Sequence, residues 1–187
     1  MVDIMSILSI PLFLVLVVAF FAISCFVYIG PKERGLLTKK FGAPLPQGDI
    51  IAFNGEAGYQ ANLVQPGWRF VLKPVYSIAK IPLVQTTANG GGIIISQIGK
   101  DIPTGFINAT GSGLTLEDYR DPKVFLSKGG QKGIQRIMLP ISTSMEVHPI
   151  AFVIKTTQGI YGKPLTQNSE EELERLSPAL IVLNGGR

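Results

Sequence analysis

Hydrophobic patterning divides the chain in two. Between Asp3 and Lys32 no charged residue occurs, and the run reads ILSIPLFLVLVVAFFAISCFVYI. It carries neither a helical stripe nor a strand alternation; it is apolar throughout. At about 1.5 Å per helical residue, such a run exceeds the roughly 30 Å hydrocarbon core of a bilayer, and it predicts a transmembrane helix over 4–29. Pro11 falls in the first turns, where a missing backbone donor costs least. A cleaved secretory signal fits less well, because no Lys or Arg precedes the run and the run is too long for a signal core. AISC before Cys25 departs from a lipidation box, with Ala22 where a larger aliphatic residue is usual.

After residue 30 the pattern shortens into strand-length runs separated by turn residues. GLLTKKFG and DIIAF read as strands around the turn APLPQG, and GYQANLVQPGWRFVL reads as a hairpin turning at Pro66-Gly67. SIAKIPLVQ, GGIIISQIG and EVHPIAFVIKTT read as further strands. DPKVFLSK predicts a short helix with Asp121 as cap and Pro122 at its first position. Ser169–Leu176 predicts a second helix start, with acids in its first turn.

An internal repeat organises this body. GLLTKKFGAPLPQGDI (35–50) aligns with GIIISQIGKDIPTGFI (92–107) at an offset of 57 residues, with identities Gly35/Gly92, Gly42/Gly99, Pro46/Pro103, Gly48/Gly105 and Ile50/Ile107. KPVYSIAK (73–80) aligns more weakly with HPIAFVIK (148–155) at an offset of 75, with Pro74/Pro149 and Lys80/Lys155 identical. The larger second offset implies an insertion between Ile107 and His148. The expected organisation is a transmembrane helix over 4–29, a first β-rich subdomain over 30–90, a second over 91–157 containing an inserted helix and glycine loop, and a short tail over 158–187 with a helix.

Charge adds an orientation. Lys32, Arg34, Lys39 and Lys40 follow the apolar run, with Glu33 the only acid among them, and no Lys or Arg precedes it. The excess of cations on that side predicts a single-pass protein of the inner or plasma membrane with its body in the cytoplasm. These four residues are candidate membrane-proximal contacts, since an anionic leaflet attracts each nearby cation by about 1 kcal/mol. Over the whole chain, 17 Lys and Arg against 13 Asp and Glu give a net charge of only +4. The cations are scattered and not interleaved with aromatics, which argues against a nucleic-acid partner.

Candidate chemistry is sparse. Cys25 is the only cysteine and His148 the only histidine, so neither a disulfide nor a Cys- or His-rich metal centre can form within one chain. FLSKGGQKGIQ (125–135) invites comparison with a phosphate loop, but Lys132 is followed by Gly133 where that motif needs Ser or Thr, and the first glycine is misplaced. Its glycines read better as the end of the preceding helix. Lys128, Gly129, Gly130, Lys132 and Gly133 are then a candidate subunit-contact loop. Ser142, Thr143 and Ser144 have no neighbouring base, and Glu117, Asp118 and Asp121 suit capping better than acid–base work. Trp68, Phe70 and Tyr76 read as core or membrane-edge aromatics. No catalytic, cofactor or metal site is predicted, and the chain reads as a non-enzyme.

The residues do carry a family resemblance. An apolar run followed by GPKERGLLTKKFGAPLPQGDIIAFNGEAGYQANLVQPGWRF resembles the start of flotillin-like members of the SPFH, or band 7, family, which includes stomatin, prohibitin, flotillin and HflK/C. GGIIISQIGKDIPTG resembles that family's recurring strand–turn unit. DYRDPKVFLSKGGQKGIQRIML followed by VHPIAFVI resembles a later block of the flotillin-like branch. The likeness covers roughly residues 28–155, in the expected order. It implies an α+β fold: an N-terminal single transmembrane helix followed by two tandem β-rich SPFH-type subdomains with short helices. It also implies a membrane scaffold that self-associates, organises membrane domains or complexes, contacts membrane lipids and related SPFH subunits, and partners with NfeD-type proteins or membrane proteases. Two departures stand out: His148 replaces the usual Asn of the branch, and no heptad run follows Thr157 where a coiled coil is expected. The second departure raises an alternative, a membrane-tethered accessory or regulatory subunit of a larger machine such as a protease.

Overall fold

The computed structural model describes residues 4–88, 90–106, 108–110, 113–165, 171 and 173, with side chains from Phe13 onward. Helix α1 spans Ile4–Ser24. It ends where the Ser24 hydroxyl donates to the Phe21 carbonyl at 2.8 Å and Cys25 N–H reaches back only three residues, to Ala22. The next four residues, Phe26–Ile29, are not helical but form strand β1. Their aromatic and β-branched side chains suit a pleated surface. Their backbone pairs antiparallel with β4 (Gly67–Phe70), Phe26 facing Phe70 and Tyr28 facing Trp68.

This corrects the expected anchor over 4–29. Among the described residues no helix is long and apolar enough to cross a membrane. The apolar run is not one helix: α1 stops at Ser24, and Phe26–Ile29, expected as its last turns, leave it to pair with β4. The single-pass placement in the inner or plasma membrane, with a cytoplasmic body, falls with it. The expected α+β fold is corrected as well. The body is mostly β, and its delimited helical elements are a 3-10 turn (Leu116–Arg120) and the six-residue α2 (Pro122–Ser127).

Two sheets make the body. The first has the order β3-β2-β5, from β2 (Glu33–Lys39), β3 (Gly58–Tyr59) and β5 (Tyr76–Pro82). The second has the order β11-β10-β7-β8, from β7 (Gly92–Ser96), β8 (Gly133–Leu139), β10 (Phe152–Thr156) and β11 (Gly159–Tyr161). A short ribbon of β6 (Val84–Gln85) and β9 (Ser144–Met145) joins them. The sequence repeat has a geometric counterpart. β2 lies between a following strand and a returning one, β3 and β5, just as β7 lies between β8 and β10. Gly35 faces Lys80; Gly92 faces Thr156, one residue past the Lys155 that aligns with Lys80. The 3-10 turn and α2 both lie in the inserted stretch of the second unit.

The expected hairpin over 58–72 does not form. β3 and β4 join different sheets, and Val64 between them bridges to Gly35 instead. Gly67 does take the left-handed φ of +112° that its turn requires. The expected strand DIIAF contributes only an isolated bridge from Ala52 to Gln60, and residues 146–148 are irregular and lead into a turn at 149–151 ahead of β10. Of the helix expected over Ser169–Leu176, only Glu171 and Leu173 are described, both helical; the rest of that segment and 177–187 lie outside the described residues.

One hydrophobic core serves both units. Leu36, Ile51 and Ala61 of the first pack with Ile94, Leu139, Phe152 and Ile154 of the second. Tyr119, Phe125 and Phe152 meet at its centre with ring centroids 5.0–5.5 Å apart, so the inserted turn and α2 close one face of β10. On the opposite face Ile95 and Val153 are covered by Leu173 and Ile134. Being buried on both faces, β7 reads as a continuous apolar run without alternation.

Polar groups bolt the seam. His148 is fully buried. Its Nδ1 lies 3.3 and 3.1 Å from the N–H groups of Ile150 and Ala151, so Nδ1 is the acceptor and the proton sits on Nε2. Nε2–H then donates across the seam to the Gln60 carbonyl at 3.0 Å. An Asn at this position could offer Oδ1 to the same turn N–H groups, as in an Asx turn, but could not reach Gln60. The histidine thus adds a link between the units. Nearby, Arg34 of β2 is ion-paired with Glu146, both side chains about four-fifths buried. Thr86 accepts from Thr143 N–H and donates to the Pro140 carbonyl.

Burial lowers the His148 pKa from 6.5 to about 4, only partly offset by the bond to Gln60. Between those values the unfolded chain binds a proton that the folded chain does not, so stability falls as pH drops through that window. From pH 7 to pH 5 the loss from this group should be on the order of 2 kcal/mol in urea denaturation followed by Trp68 fluorescence. His148→Asn should be about 1–2 kcal/mol less stable at pH 7 and lose most of that pH dependence. An unchanged pH slope in the variant would refute this account.

Candidate interaction surfaces

The glycine loop after α2 is a structural joint. Asp121 caps α2 by accepting from Lys123 N–H, with Pro122 at the first position. At the other end, Gly129 N–H donates to Leu126 and Gly130 N–H to Phe125, the reversed pair of bonds that closes many helix C-termini. The two adjacent glycines have different reasons. Gly129 takes φ +78°, in open space. Gly130 is buried against the Phe125 ring, which a Cβ would approach to 2.3 Å. The loop is then stitched to the turn after β7: Lys100 N–H donates to Gly130, and Lys132 N–H donates to Lys100.

The loop's lysines are also engaged. Lys128 Nζ reaches both carboxylate oxygens of Asp118 at 2.8 and 2.9 Å, tying the end of α2 to the 3-10 turn. That ammonium, with the Thr115 N–H, holds the Asp118 carboxyl below its usual pKa. Lys132 faces Asp101 at 3.6 Å on the surface. The hollow beside Lys100, Lys132 and Asp49 measures about 200 Å³, below the roughly 300 Å³ typical of small-molecule sites. Glu117 pairs with Arg120, and Thr143 belongs to the seam. The Tyr119 phenol is pushed up to about 12, first by burial and then by the charge of Asp118, and donates to Gln135.

The four basic residues after the apolar run are dispersed. Arg34 is spent on Glu146, Lys39 Nζ donates to the Gly55 carbonyl, and Lys40 Nζ donates to the Lys73 carbonyl at 2.9 Å. Lys32 is exposed in the turn after β1. They do not converge on one patch.

A different surface stands out, and sequence reasoning only half found it. β1 and β4 form a ribbon whose one face carries Phe26, Tyr28, Trp68 and Phe70, between 48 and 71 % exposed. Their rings pair across the strands, Phe26 with Phe70 and Tyr28 with Trp68, each at 5.4 Å between centroids. The opposite face is turned inward at Ile29, which is fully buried. The helix ahead of the ribbon is exposed and apolar at Phe13–Val18, Phe20, Phe21 and Ile23. The available signal was an aromatic at every second residue in FVYI, mirrored in WRF. It was masked because the first half lay inside an unbroken apolar run.

Compared with known proteins, the chain matches no family model, no curated protein and no solved structure.

Gly130→Ala should lower stability by up to about 3 kcal/mol, because the added methyl drives Phe125 out of the core. Gly129→Asn should cost less than about 1 kcal/mol, because Asn tolerates the left-handed region and meets no neighbour. Thermal melts of the two variants should rank in that order; equal effects would remove the close-approach explanation of Gly130.

Proposed function

We propose that this chain is the head of an SPFH-type, flotillin-like scaffold that self-associates and organises membrane domains or membrane protein complexes without catalysis. The reading starts from the ordered motifs between residues 28 and 155. The observation that carries it furthest is the doubled unit, β3-β2-β5 and β8-β7-β10, which gives the sequence repeat a structural meaning. The unit leaves strand edges open. Among the described residues, β5 pairs only with β2, and β11 only with β10. An open edge offers backbone donors and acceptors to a second copy. Pro82 at the end of β5, and Lys80 within it, limit that pairing to a defined register rather than open-ended addition.

The polar side chains of the loop and seam support a non-catalytic reading, because they are committed to holding the body together. His148 is buried and neutral, and Asp118 is paired with Lys128.

Full-length chain extracted in mild detergent should elute as an assembly many times the 20.2 kDa protomer, with its mass read by light scattering. A strictly monomeric elution at micromolar concentration would overturn the scaffold reading. A stoichiometric complex with an unrelated membrane protein would replace it with an accessory-subunit role.

A further inference from the structure

The aromatic ribbon is ordered along its length. Nearest α1 lies Phe26 against Phe70, two rings without a polar atom. Two residues further, about 7 Å along the strands, lies Tyr28 against Trp68, two rings that each carry one hydrogen-bonding group. Beyond them the strands end in turns carrying Lys32 on one side and Gln65–Gly67, with Arg69 folded back onto the Gln65 and Pro66 carbonyls, on the other. The sequence of environments is apolar helix, apolar rings, amphipathic rings, charge.

A protein partner has no need of such a gradient; a bilayer surface has it built in. Trp and Tyr favour the headgroup boundary, where the ring body is dehydrated and the N–H or O–H stays wet. We propose that the exposed face of the β1–β4 ribbon seats against a lipid bilayer, with the Phe26–Phe70 pair towards the hydrocarbon and the Tyr28–Trp68 pair at headgroup level. The proposal concerns the ribbon's face and does not require any helix to cross. It rests on the preceding reading only in supposing that a membrane is present.

Two features of the site favour lipid over a second copy. The exposed apolar surface of α1 leads directly into the Phe26–Phe70 end. The acid that opens β2, Glu33, is half-buried, and its carboxylate is turned back to accept from the Gly30 N–H at 3.2 Å.

Trp68 is the only tryptophan in the chain, so its fluorescence reports this seat alone. The test adds full-length chain to vesicles of phosphatidylcholine, with or without phosphatidylserine. Matched vesicles carry bromine either near the top or near the end of the acyl chains. The expected result is a blue shift of Trp68 emission on lipid addition and at least twofold stronger quenching by the shallow bromine than by the deep one. Phe26→Ser with Phe70→Ser should abolish most of that quenching while leaving the circular dichroism spectrum and the urea midpoint close to wild type. A chain that sediments with vesicles while Trp68 stays unquenched by either bromine overturns the proposal. So does a blue shift that appears without lipid and grows with protein concentration, because a second copy then covers the rings. Quenching of a chain that elutes as a monomer would leave this inference standing and remove the scaffold reading, so the two failures are separable.

Discussion

Neither sheet of this protein can bury its apolar face alone, and everything else in the body follows from that constraint. A three-stranded sheet with one two-residue strand is marginal in isolation. The four-stranded sheet has both faces apolar at β7 and needs a cover on each side. Sharing one core solves both problems. It also creates a seam of backbone carbonyls and charged side chains that must find partners there, since an unpaired polar group in such a place costs about 1–3 kcal/mol. His148, Arg34 with Glu146, and Thr86 with Thr143 meet that requirement. Their positions explain why a stretch that looked like continuous strand, EVHPIAFVIKTT, begins irregularly: Glu146 and His148 are occupied with the seam before β10 starts.

The insertion in the second unit has a comparable origin. With Tyr119 and Phe125 packed onto Phe152, the 3-10 turn and α2 close the core over β10. The glycine loop that ends α2 has to pass close to the Phe125 ring and then join the turn after β7. Its composition answers to that path.

Local chemistry made some elements legible in advance. Asp121-Pro122 announced α2, and the aligned glycines of 35–50 and 92–107 marked β2 and β7 as equivalent. These signals act within a few residues or repeat in register. What escaped was set by distant pairings. β1 lay hidden because FVYI is as apolar as the helix before it; only the presence of β4 some forty residues on makes it a strand. The hairpin over 58–72 failed because Gly58-Tyr59 and Gly67–Phe70 find better partners in β2 and β1 than in one another. The interaction surface was legible as a set of aromatic residues but not as a surface, since its two halves meet only across the β1–β4 ladder. His148 showed its scarcity in the sequence but not the carbonyl of Gln60 that gives it a task.

The joint between α1 and the ribbon has a mechanical meaning. A swivel needs a few residues free of partners, yet a single residue, Cys25, separates the end of the helix from the first rung of β1. It is fully buried, and its carbonyl accepts from Val71 N–H at 2.8 Å. The helix is therefore clamped to the body like a handle set in its blade. A change in its tilt is passed through β1 and the buried Ile29 into the first sheet, and a load applied along it falls first on the Phe26–Phe70 rung, so the ladder would open from that end one rung at a time.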